Sequence, residues 1–221
     1  MLIAEDLLLL LYDDATGKPL TGSPGLDYAL AGAVLIELTL AGRLDITSDG
    51  KGRLQVLDGT PTGDPILDER LAYVVGKPGK KPKNQIGALS KRLRDQLLVR
   101  LAERGVLEAD QGKVLGLFPV TRWPAKDARH ELEVRTKLEG VLNQGLMPDQ
   151  LTAALIALLS ALNVVPKVIT DAVDKRALKR RAKEIADSDW AADAVKKAVS
   201  EMQAAITASI VVASSAAASS S

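Results

Sequence analysis

Lys91 and Arg94 stand three residues apart in a stretch where Ile86, Leu89, Leu93, Leu97 and Leu101 recur at intervals of three and four. Such spacing predicts one amphipathic helix over residues 84–104, stopped by Gly105. Side chains three apart on a helix are neighbours, so the two cations would share one edge of the apolar stripe and could grip a phosphate while the helix stays packed. A second run of cations occupies residues 175–183, reading KRALKRRAK, in an amphipathic segment. It reads as a solvated helix face. Phe118, Val120 and Trp123 make an apolar and aromatic group; Phe118 reads as core, whereas Trp123 suits either a core or a membrane interface, where tryptophan is favoured.

Other side chains with chemical potential have simpler explanations. Asp64, Asp68 and Glu69 could do acid–base work, but Gly63-Asp64-Pro65 reads as a helix cap followed by a first-turn proline, with the acids near the positive end of the helix dipole. His130 is the single histidine and the chain has no cysteine, so metal-ligand spacing is missing. No G-x-S-x-G, P-loop or G-x-G-x-x-G motif occurs. The expectation is a protein that is not an enzyme and carries no metal or cofactor.

Any binding residues must be positioned by helices. Aromatic residues are 3% of the 221, against 47% hydrophobic residues overall, and the abundance of leucine and alanine favours helix packing over a β-sandwich. The stretch LDYALAGAVLIELTLAGRL over 26–44 is apolar on every side of a helix, with Ser23 and Pro24 marking a start and Gly42 a stop. A helix apolar all round must be wrapped by others, and this one is too short for a membrane span. Residues 7–11 predict a short buried helix, and 44–46 with 54–56 a hairpin. A helix follows Asp64 and dies at Gly76; GKPGKKPK over 76–83 reads as a solvated linker. A second hairpin is expected with its turn at Asp110-Gln111-Gly112, then a charged helix over 127–142. An apolar helix over 148–165 is the natural partner of the central one, and a last helix is expected to start at Asp189, capped by Ser188. The fold class is therefore mainly α, a single compact domain over 1–213 around a buried central helix with small β-hairpins, plus a mobile Ser/Ala tail over 214–221. Lys and Arg total 29 against 28 for Asp and Glu, so an anionic partner must be met by a local patch. Glu5 and Asp6 stand where a signal peptide would carry positive charge, so secretion is not expected.

Three groups of residues carry a family likeness. Leu35-Ile36-Glu37-Leu38 with Gly42-Arg43-Leu44, then Pro61-Thr62-Gly63-Asp64 with Leu67-Asp68-Glu69, then Leu101 with Gly105-Val106-Leu107, resemble the Golgi phosphoprotein 3 family in order and spacing. The resemblance covers nearly the whole chain, and the short loops and alanine-rich C-terminal part are similar to a bacterial-type member. It implies a helical domain peripheral to the cytoplasmic membrane face that binds anionic phospholipid, namely phosphatidylinositol 4-phosphate. In eukaryotic members the head-group pocket is made by a tryptophan in the loop before the central helix, an arginine near its start, and two arginines one turn apart on the basic helix. The last two fall on Lys91 and Arg94, the helix arginine falls on Ala31, and no tryptophan precedes Pro24. Lysine is a point charge without arginine's bidentate fork. The resemblance also implies a hairpin over about 106–123 that supports membrane insertion or a homo-oligomer, with Phe118, Val120 and Trp123 on it, and an adaptor role toward protein clients. Two rivals are a winged-helix-like nucleic-acid binder, since a basic helix followed by strand, turn and strand describes that too, and a protein-binding adaptor without lipid. The near-zero net charge and the Asp110-Gln111-Gly112-Lys113 wing speak against nucleic acid.

Overall fold

In the computed structural model, which describes residues 1–114, 118–172, 174–188 and 193–218, the apolar run near the start is helix α1 (Ile3–Leu10) and the greasy stretch is helix α2 (Ser23–Leu40). Gly22, not Ser23, takes the cap position of α2, with Pro24 inside the first turn. Gly42, at φ +68, turns the chain away at the far end. Leu30, Ala31, Leu35, Ile36 and Leu38 are wholly buried, as a rod without a polar face requires.

The chain continues through β1 (Leu44–Ile46) and β2 (Leu54–Val56), paired antiparallel with Leu44 opposite Val56, to α3 (Pro65–Val75). Asp64 caps α3 by accepting from the amides of Ile66 and Leu67, and the helix ends at Gly76 as expected. Next come α4 (Pro82–Leu89), α5 (Leu93–Glu103) and a second antiparallel pair, β3 (Asp110–Val114) with β4 (Phe118–Arg122). The C-terminal half is helical: α6 (Arg129–Asn143), α7 (Gln150–Ala161), α8 (Val165–Val168), α9 (Lys175–Asp187) and α10 (Asp193–Ala218). The fold is thus mainly α with two small two-stranded sheets. Among the described residues no helix is long and apolar enough to cross a membrane.

Four details depart from the sequence reading. The single helix expected over 84–104 is two helices, α4 and α5, with a break at residues 90–92. Asp110, Gln111 and Gly112 form strand, with Gly112 opposite Val120, instead of a turn. Helix α10 runs to Ala218, so residues 214–218 of the Ser/Ala segment are helical; residues 219–221 and the helix start expected at Asp189 lie outside the described residues. Finally, α7 does pack on α2, but α10 lies along it most extensively. Small residues on α2 permit that approach. A side-chain carbon on Gly32 would sit 3.1 Å from Ile206 Cδ1, and one on Gly25 would sit 3.3 Å from Ile210 Cδ1.

Candidate anion-binding site

The break between α4 and α5 decides where the two candidate cations go. Arg92 adopts the left-handed conformation, φ +59, in the middle of what periodicity reads as continuous helix. Its cause lies on another element. Arg70 of α3 is almost completely buried and donates from Nε to the carbonyl of Leu89 (3.4 Å) and from Nη2 to that of Lys91 (3.1 Å). A helix end leaves carbonyls without partners, and a charged guanidinium is a strong donor to them. Glu69 pairs with Arg70 and accepts from Gln96 Nε2 at 2.9 Å, which ties the break to the first turns of α5.

Lys91 and Arg94 consequently open onto different depressions instead of sharing one helix edge. Lys91 is exposed and borders a hollow of about 370 Å³ with Lys77, Arg92 and Tyr73. Lys77 lies over the Tyr73 ring, its Nζ 4.6 Å from the centroid, a cation–π contact. Arg94 sits in the first turn of α5, its Nε 3.4 Å from Asp27 Oδ1 on α2. Burial pushes the Asp27 carboxyl up, and the Arg94 charge pulls it back down.

The hollow that Arg94 borders, about 450 Å³, is also lined by Lys18, Arg122, Tyr12 and Trp123, with Asp95 as its carboxylate. Three cations and two aromatic residues therefore border one hollow. Local structure brings them together: Gly17, at φ +61, lets the loop press against the foot of the second hairpin, where the Trp123 amide donates to the Gly17 carbonyl at 3.2 Å. Any side chain at Gly17 would collide with the Trp123 backbone, 2.3 Å away. Trp123 is partly buried against the core. The side chains of Phe118 and Val120 lie outside the described residues, although their backbone is strand β4. Ala31 is fully buried on α2 and offers nothing to an anion. Spacing along the chain does not single out Lys18 or Arg122, because one lies in a loop and the other ends strand β4, and only their meeting with Arg94 sets them apart.

The remaining candidates are structural. Asp68 accepts from Thr62 through both the amide (2.6 Å) and Oγ1 (2.7 Å), which holds its carboxyl below the usual range. Asp64 adds to its capping role a 2.7 Å bond from Arg100 Nη1, while Arg100 Nε reaches the buried Glu5 at 2.8 Å. His130 Nε2 is 2.7 Å from Asp6 Oδ1. Among the described residues no three His, Cys, Asp or Glu side chains gather to hold a metal.

The chain matches, over residues 3–202, the family model described as Golgi phosphoprotein 3 (GPP34). It is also similar to vacuolar protein sorting-associated protein 74 of Eremothecium gossypii, with 27% identity over 203 residues, which cover 76% of this chain and 61% of the relative. The chain thus spans about three fifths of that relative's length.

Proposed function

Because this chain belongs to the Golgi phosphoprotein 3 family, we propose that it is a non-enzymatic peripheral membrane protein of the cytoplasmic face that binds anionic phospholipid, with phosphatidylinositol 4-phosphate as the head group the family resemblance implies. The observation that carries this reading is the meeting of Arg94, Lys18 and Arg122 around Trp123 in one open hollow. Arg94 is the inner cation, oriented by Asp27, and supplies the fork that a phosphate monoester accepts. In this reading Lys18 and Arg122 supply the further positive charge that Ala31 does not, and Trp123 supplies an aromatic wall in a chain with no tryptophan before Pro24. Lys91, in the neighbouring hollow, adds surface charge and not a direct contact to the same phosphate. An adaptor role toward protein clients, and assembly through the second hairpin, belong to the same reading.

The test is co-sedimentation with phosphatidylcholine vesicles, with and without phosphatidylinositol 4-phosphate. Arg94→Ala is expected to weaken the phosphoinositide-dependent binding about tenfold, in line with a charged hydrogen bond of about 1.5–3 kcal/mol. Lys18→Ala with Arg122→Ala should weaken it by a similar factor without touching a buried group, and Lys91→Ala by less. All should weaken further with salt, because exposed charges are screened. If the Lys18 and Arg122 pair and the Arg94 variant bind as the parent does, with unfolding midpoints unchanged, this hollow is not the head-group site.

A further inference from the structure

Helix α9 carries more positive charge than the site above uses. Leu178, Ala182 and Ile185 recur at four and three and are its buried face. Lys175, Arg176, Lys179, Arg180 and Lys183 are all exposed on the outer side. Lysines or arginines four apart on a helix repel one another, so this face is held together against its own charge. The relief on offer within the helix is slight: Glu184 stands 3.8 Å from both Arg180 Nε and Arg181 Nη1. Among the described residues Lys175, Lys179 and Lys183 make no ion pair.

Next to this face the chain presents apolar side chains to water. At the end of α6 Gly145, at φ +75, reverses the chain and the Leu146 amide returns to the Gly140 carbonyl at 3.1 Å. Leu146 folds back so closely that a side-chain carbon on Gly140 would lie 3.0 Å from its Cδ1. The loop is therefore fastened at its base. Beyond it Met147 is 86% exposed and Leu151 50% exposed. Gly145 and Asn143 line one depression of about 500 Å³ with Ala177, Arg180 and Arg181 of α9, which places the base of the loop that carries Met147 beside the cationic helix. That depression also holds Asp171 and Asp174, so anions meet the outer cations and not its floor.

We infer that α9, the loop over 145–149 and the first turn of α7 form a second membrane contact, in which the outer cations face anionic phospholipid head groups while Met147 and Leu151 dip into the acyl boundary. Cations beside exposed apolar side chains match a surface that is anionic outside and hydrocarbon beneath. A nucleic acid would satisfy the cations and offer nothing to Met147. The contact is separate from the Arg94 hollow, so either can fail alone.

The probe is a vesicle of phosphatidylcholine with phosphatidylserine and no phosphoinositide. Arg176→Glu, Arg180→Glu and Lys183→Glu together should lower partitioning about a hundredfold, since each cation near an anionic surface contributes about fivefold. Met147→Asp, exposed and remote from the core, should lower it about fivefold, and both variants should keep the parent's unfolding midpoint. The Lys18, Arg94 and Arg122 variants should lose the phosphoinositide-dependent increment while retaining phosphatidylserine binding. Partitioning of either α9 or loop variant equal to the parent's, or a parent that ignores phosphatidylserine vesicles, overturns the inference. Loss with the charge reversals alone points to an electrostatic surface for an acidic protein or nucleic acid, and overturns it as well.

Discussion

At the residue scale, the side chains that carry the family likeness are mostly consumed in holding the fold. Arg43 pairs with Asp58 and donates to Thr60 Oγ1 at 2.8 Å, Asp64 caps α3, and Asp68 holds the preceding loop through Thr62. Glu37 is a polar interruption in the apolar middle of α2; its carboxylate accepts from the Ile3 amide at 2.6 Å and so serves the start of α1. Burial pushes Glu37 up from its ordinary 4.5 to about 7, with Asp6 and Glu5 adding to the rise and the Ile3 bond opposing it. Between those two values the folded chain holds a proton that the unfolded chain has released, so this residue's contribution to stability is present at low pH and lost as pH rises from about 4.5 to about 7. Glu37→Gln keeps an acceptor for Ile3 and is neutral throughout. Its urea midpoint should therefore vary less with pH across that interval than the parent's, and equal slopes in the two proteins would contradict this origin.

At the scale of elements, the informative feature is the break in the basic helix. Ile86, Leu89, Leu93, Leu97 and Leu101 are all buried, so the periodic core positions were legible even though the helix they implied is interrupted. Nothing local marks the break; no proline falls between Asn84 and Arg104, and the residue forced left-handed is an arginine. A non-glycine residue held there costs about 1–2 kcal/mol, from which glycine's greater freedom in the unfolded chain takes back about half. Arg92→Gly should thus stabilise the protein by about 0.5–1 kcal/mol in urea unfolding. A destabilised variant would mean that the Arg92 side chain contributes contacts worth more than the strain.

For the whole molecule, the enclosure of α2 by α10 matters most. Met202 and Ile206 are fully buried, and Ile206 sits where Gly32 has no side chain. Gly32→Val would drive methyl groups into a contact already at 3.1 Å for the first carbon, and overpacking of this kind costs about 1–3 kcal/mol. The expected outcome is a lower thermal midpoint together with faster amide exchange in α10 than in α3, because α10 must move to make room. Uniform exchange across the chain would show that the helix is not displaced.

The sequence by itself determined the buried rod, the Asp64 cap, the first hairpin and the apolar stripe through residues 86–101, since each depends on periodicity, capping or turn chemistry within a few residues. It also held the motifs of the family. Tertiary structure alone decided that Arg70 stops α4, that Lys91 and Arg94 part company, and that Lys18 and Arg122 join Arg94 beside Trp123. These depend on hydrogen bonds and close approaches between segments far apart in the chain, where no spacing along the sequence records who meets whom.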